Sequence, residues 1–245
     1  MKAMILAAGL ATRLRPLTSD RPKALVEVAG HTLLELVMIR LRSFGISDVI
    51  INTHHFADML PTYLRDHKNF GMHIEISHEE VLLDTGGGLK HASHFFTDSD
   101  EPFVVHNVDV LSTIDLERML RFHLDHDALA TIAVQDRPTS RYLLFDSKRR
   151  LCGRRAGIGG TPELVRPAKE LQALAFSGIH ILSPRIFSMM REEGIFSIIP
   201  VYLRLAAQEE PIFGFPADRY YWRDLGRPEH IAEAASDILA GIYPG

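Results

Sequence analysis

The stretch MILAAGLATRLRPLTSDRPKAL, Met4 to Leu25, decides how the rest of the chain is read. An apolar run ends in Ala7, Ala8 and Gly9, and Arg13, Arg15, Arg21 and Lys23 then follow among Pro16 and Pro22. In an open parallel sheet, ligands sit outside the carboxyl ends of the strands. With Lys2 to Ala7 as the first strand, Leu6, Ala7, Ala8 and Gly9 lie in that crevice. The small residues Ala7, Ala8 and Gly9 let a flat ring or a phosphate reach the main chain. Arg13 offers a planar fork of donors to phosphate oxygens, and Lys23 a compact charge. The prolines stiffen the loop and lower the entropy lost when it orders. No G-x-G-x-x-G follows the strand and no G-x-x-x-x-G-K-[ST] occurs, so neither a dinucleotide fingerprint nor a Walker-type loop is indicated.

The bulk properties fit this local reading. The chain has 245 residues, 46% hydrophobic and 24% charged, enough for a sizeable core. A net charge of −4 argues against general nucleic-acid binding, because the cations are local. Cys152 stands alone, which excludes an intramolecular disulfide and cysteine-based metal sites. The apolar stretch Ala3 to Ala8 is too short for a signal peptide or a membrane span. A soluble cytoplasmic protein without membrane or nucleic-acid partners is expected, as a monomer or homodimer.

Short apolar runs alternate with amphipathic ones, the pattern of a mostly parallel sheet covered by helices. DVIIN (Asp48 to Asn52), MHIEIS (Met72 to Ser77), PFVVH (Pro102 to His106) and ALATIAVQ read as strands. Helices are predicted from Thr32, where Glu35 completes a capping box, over HFADMLPTYLRDH with a bend at Pro61, and around Asp115 to His126. After Asp136 the runs YLLFD, ALAFSGIHIL, PIFGF and RYYW are β-like, and Ser147 to Glu170 reads as a long basic loop. PEHIAEAASDILAG closes the chain as a helix with Pro228 in its first turn. One domain over 1–245 is expected, with a nucleotide-binding half at 1–136 and a sugar-phosphate half at 137–245.

LAAGLATRLRPLTSDRPK resembles the signature L-A-A-G-x-G-T-R-x-x-P-L-T-x-x-x-P-K of the sugar-phosphate nucleotidyltransferases. Ala11 replaces the second glycine; if that position needs positive φ, alanine costs on the order of 1 kcal/mol. The resemblance implies a three-layer α/β/α Rossmann-like fold with a mixed, mostly parallel central sheet. LLDTGGGLK (Leu82 to Lys90) resembles the base-recognition segment, placing Asp84, Thr85, Gly86 and Gly87 with Leu6 to Gly9 at the nucleotide; Asn52 faces the same crevice and would bind the nucleotide or cap a turn. Asp109 in VVHNVDV and Asp224 in YYWRDLG match the two Mg²⁺-binding aspartates, and Asn107, Ser177 and Gly178 fall near the sugar. Arg13, Lys23 and Asp109 are then the catalytic residues. The L-E-E-K-P element whose lysine meets the sugar phosphate is absent; Arg154, Arg155, Arg166 and Lys169 occupy the interval. His91/His94 and His123/His126 lack a third ligand linked by spacing.

The implied reaction takes a nucleoside triphosphate and a sugar 1-phosphate to an NDP-sugar and pyrophosphate, with Mg²⁺. Among short members the chain is most similar to N-acetylmuramate 1-phosphate uridylyltransferases, which implies UTP. Guanylyl-, thymidylyl- or cytidylyltransferases on mannose, heptose, glucose or phosphocholine phosphates share the motifs. A glycosyltransferase has no need of Arg13 with Lys23, and a non-catalytic nucleotide-binding module would be expected to lose the aspartates.

Overall fold

A mixed sheet of ten strands organises the computed structural model, which describes residues 1–243. The first strand, β1 (Ala3–Leu6), lies centrally in it. A small hairpin of β2 (Glu27–Val28) and β3 (His31–Thr32) leads into α1 (Leu33–Ser43). The Thr32 hydroxyl accepts the Glu35 N–H at 3.1 Å and sets the helix start. Glu35 itself pairs with His31 at 3.1 Å. Then come β4 (Asp48–Thr53), α2 (Met59–Asp66), β5 (His73–His78), α3 (Asp84–His91), β6 (Phe103–Asn107), β7 (Val110–Ser112) and α4 (Leu116–Asp125). Pro61 does not bend a helix beginning near His55. The helix starts only at Met59, which puts the proline in its first turn, where no N–H is needed.

Beyond β8 (Ala130–Gln135) the pairing turns largely antiparallel. β9 (Arg141–Phe145), β10 (Leu151–Ala156) and β11 (Glu163–Leu164) form a meander, so the expected 147–170 loop is interrupted by two strands and is loop elsewhere. Gly153 permits it: a side chain there would collide with the β11 backbone at Glu163 and Leu164. β12 (Gln172–Leu182), α5 (Ile186–Met189), α6 (Ile198–Ala207), β13 (Ile212–Pro216), β14 (Trp222–Asp224) and α7 (Pro228–Leu239) complete the chain. Of RYYW, only Trp222 enters a strand.

The path β11-β10-β9-β12-β6-β1-β4-β5 carries a parallel core, with Ile5 opposite Ile51 on one side and His106 on the other. Successive side chains alternate between two apolar layers, as the period of a strand requires. Ile5 and Ile51 pack with Leu34, Met38 and Leu41 of α1 and Ile231 of α7. Met4 and Ile50 pack with Leu89 of α3 and Val201, Tyr202 and Leu205 of α6. The layers are therefore helix, sheet, helix. No helix among the described residues is long and apolar enough to cross a membrane.

Candidate active site

A cleft of about 570 Å³ opens where β1, β4 and β6 end. Its floor is the turn after β1. Asn52 Oδ1, at the end of β4, accepts the N–H of Ala7 at 2.6 Å and of Ala8 at 3.3 Å. Glu79, 1% exposed just after β5, holds that amide in place: its Oε1 accepts from Asn52 Nδ2 at 2.7 Å and its Oε2 from the Leu83 N–H at 2.9 Å. Buried polar groups of this kind are costly unless paired, and these are paired. Ala11 takes φ 47°, the left-handed conformation in which alanine is strained.

Leu6, Ala7, Ala8, Gly9, Arg13, Lys23, Asn52, Asp84, Thr85, Asn107 and Asp109 all line this cleft, though their motifs span more than 100 positions. The Lys23 ammonium, buried to 9% exposure, donates to Asp109 Oδ2. Asp224 reaches the neighbourhood through backbone pairing: β14 runs antiparallel to β7, Asp224 stands opposite Val110, and the Leu225 N–H donates to the Asp109 carbonyl at 2.7 Å. Asp224 Oδ1 accepts the Gly226 N–H at 2.6 Å. The second oxygen of each carboxylate has no hydrogen bond among the described residues. Hard oxygen donors of this type suit a divalent cation such as Mg²⁺. No group of three or more histidine, cysteine or acidic side chains is placed to hold a metal ion among the described residues.

Four expected residues are placed differently. The N–H groups of Gly86 and Gly87 both donate to the Phe196 carbonyl, at 2.9 and 3.1 Å, and neither glycine lines the cleft. A Cβ on Gly86 would stand 2.5 Å from the Phe196 ring, and one on Gly87 2.5 Å from the Gly194 carbonyl oxygen. The glycines let α3 lie against the 194–196 segment. Ser177 and Gly178 sit in a bulge of β12, where the register shifts between Phe176 and His180. The Ser177 side chain is fully buried against Gln135, at 3.4 Å. Gly178, at φ +75°, gives room to Asn107 and Val110.

A second cleft of about 370 Å³ is lined by Arg13, Arg137, Trp222, Arg223, Asp224, Arg227 and His230. Arg13 lines both clefts. Arg137 was not singled out by any motif, and neither was Glu79. None of Arg154, Arg155, Arg166 and Lys169 lines either cleft. Arg154 pairs with Glu163 at 2.6 Å, and Arg166 lies buried near Glu209 and Glu210. His123 is structural: it bridges Thr131 and Ser183, each at 3.0 Å, and burial lowers its pKa to about 4.

The family model described as nucleotidyl transferase matches residues 2–241. An N-acetylmuramate alpha-1-phosphate uridylyltransferase of Caulobacter vibrioides is 35% identical over 239 residues, covering 93% of this chain and 92% of that protein. A mannose-1-phosphate guanyltransferase beta-B of Xenopus laevis is 31% identical over 99% of this chain, which spans 64% of the longer relative. A UDP-glucose pyrophosphorylase crystallised with UDP-glucose shares the fold at TM-score 0.79 and 18% identity, over 98% of both chains.

Proposed function

The chain belongs to the nucleotidyl transferase family, and from that premise we propose that it transfers a nucleotidyl group from a nucleoside triphosphate to a sugar 1-phosphate. Uridylyl transfer to N-acetylmuramate 1-phosphate is the specific reading, supported by the 35% identity, over 92% of its length, to a relative named for that activity. Residues 1–136 bind the nucleotide in this reading and 137–245 complete the sugar-phosphate side. The observation that carries it is the delivery of Asp224 to Asp109 by the β7–β14 pairing, beside Lys23 and Arg13.

An oxygen of the sugar phosphate attacks the α-phosphorus, the bond from that phosphorus to the bridging oxygen of the β-phosphate breaks, and pyrophosphate leaves. A phosphate monoester is already an anionic nucleophile, so no side chain has to remove a proton. The residues position and neutralise. Leu6 to Gly9, held by Asn52, present backbone to the nucleotide, with Asp84 and Thr85 across the cleft. Arg13 draws on the β- and γ-phosphates as they depart. Lys23 holds the α-phosphate against the incoming one. Asp109 and Asp224 would hold Mg²⁺, which when bound neutralises phosphate charge on both substrates. Gly86, Gly87, Ser177 and Gly178 shape the walls from behind.

The test is pyrophosphate release with Mg²⁺ across the five common nucleoside triphosphates and a panel of sugar 1-phosphates including N-acetylmuramate 1-phosphate. Release that needs one member of each set and disappears in Asp109→Asn is expected. Release by the Asp109→Asn protein at the parent rate would end the assignment.

A further inference from the structure

We infer that the 370 Å³ cleft is the docking site for the phosphate of the second substrate, with the Arg137 guanidinium, stacked on Trp222, as its principal anchor. This deepens the reading above and rests on it for the identity of the ligand.

The cleft is lined by four arginines and one aspartate, so its net field favours an anion. Two of the arginines are already committed. Arg223 donates to Asp237 at 2.7 Å and to Glu233, and Arg227 lies 3.7 Å from Glu229. Arg13 and Arg137 have no carboxylate partner in the ion pairs among the described residues. Arg137 is held in an unusual way. Its guanidinium carbon stands 3.7 Å from the Trp222 ring centroid, its Nη2 donates to the Phe176 carbonyl at 2.7 Å, and its Nε is buried with no partner. Trp222 is fixed in turn, because its Nε1–H donates to the Ser177 carbonyl at 2.7 Å. Both carbonyls belong to the β12 bulge, so the irregular strand aims a cation at the cleft.

A half-buried guanidinium with no carboxylate in direct contact is costly, and desolvation lowers its pKa against the opposing charge of Asp224 in the same cleft. A dianionic phosphate offers the planar, two-point acceptor that such a fork matches. Arg13 connects the two clefts, so a phosphate on Arg137 lies beside a nucleotide in the larger cleft. The basic 147–170 segment lies outside both clefts, which leaves the sugar phosphate to Arg137 and its neighbours.

Trp222 is the only tryptophan of the chain, so its fluorescence reports on this cleft alone. Titration of the wild-type protein with N-acetylmuramate 1-phosphate, and separately with inorganic phosphate, is expected to change the emission saturably. Arg137→Met keeps the aliphatic stem against the ring and removes the donors. It is expected to weaken both titrations about tenfold or more, while Arg137→Lys recovers part of the loss. In turnover, Arg137→Met should raise KM for the sugar phosphate and leave KM for the nucleotide within about twofold. Unchanged titrations and an unchanged sugar-phosphate KM in Arg137→Met would overturn the assignment, even if pyrophosphate release confirms nucleotidyl transfer. A saturable, Arg137-dependent signal in a protein that releases no pyrophosphate would uphold the anion site and refute the transfer reaction instead.

Discussion

Glu79 orients Asn52. Its Oε1 accepts from Asn52 Nδ2 at 2.7 Å, which leaves Asn52 Oδ1 no choice but to face the Ala7 N–H at 2.6 Å. Truncation by Glu79→Ala strands two donors, the buried Asn52 amide and the half-buried Leu83 N–H. Each unsatisfied group costs about 1–3 kcal/mol, so urea denaturation should show a clear loss of stability. The nucleotide KM should rise with it, since the turn after β1 loses its anchor. A variant of parental stability would show that this network is not what organises the turn.

Gly9 and Gly87 separate two uses of glycine. A Cβ on Gly9 meets nothing within 4 Å, whereas one on Gly87 meets the Gly194 carbonyl oxygen at 2.5 Å and Leu83 Cβ at 2.9 Å. Gly87→Ala should therefore destabilise by about 1–3 kcal/mol, the range for overpacking. Gly9→Ala should stay within about 0.5 kcal/mol of the parent while weakening nucleotide binding, because its Cβ enters the cleft. Thermal melts paired with nucleotide titration check both variants; the opposite pattern would reverse the two roles.

Arg13→Ala should lower turnover by roughly 10²-fold or more, the usual cost of losing one electrostatic donor at a reacting phosphate. Arg13 is exposed, and its loss should leave the melting temperature nearly unchanged. Steady-state kinetics at saturating substrates reads this directly. A rate within threefold of the parent, about 0.7 kcal/mol, would remove Arg13 from the chemistry.

Stability should fall on acidification below neutrality. Burial lowers the pKa of His106 and His123 to about 4 and of His180 to about 3. In the unfolded chain these groups titrate near 6.5, so between 6.5 and 4 the unfolded state binds protons that the folded state refuses. Each contributes stability that is fully present above pH 6.5 and is lost progressively below it, by about 1.4 kcal/mol per pH unit near pH 5. Urea midpoints measured from pH 7.5 to 4.5 should decline accordingly. A flat profile would mean that the three rings are reached by protons without unfolding.

The parallel half was readable because each strand there is a short apolar run with its own boundary signals, and because the loop after β1 carries a run of fixed residue types. Thr32 and Asp115 marked helix starts that the structure reproduces with hydroxyl and carboxylate caps. α6 escaped because Ile198, Val201, Tyr202, Leu203, Leu205 and Ala206 are all buried and its outward face, Pro200, Arg204 and Ala207, carries a single charged residue, too little to show a helical period. The 147–170 segment read as loop because β10 carries Arg154 and Arg155 and is covered only by the two-residue edge strand β11, where polar side chains are tolerated. Glu79 and Arg137 were invisible for a different reason. Each acts through a partner distant in the chain, Asn52 and Trp222, and no local spacing encodes that pairing. Gly86 and Gly87 were legible as a constraint but not as to its source, since close approach to a ligand and close approach to the 194–196 segment demand the same residue.

The strand β12 has a mechanical consequence. Its Gln172–Ala175 end is laddered to β9 and its Ile179–Leu182 end to β6, while β8 runs along its opposite side. β9, β6 and β8 thus hang on one shared strand, and pulling them apart would tear several backbone hydrogen bonds at once. Adaptation to acceptors of different size is left to the loops and side chains at the rim, Leu10 and Ile195 among them, both of which stand exposed at the mouth of the larger cleft.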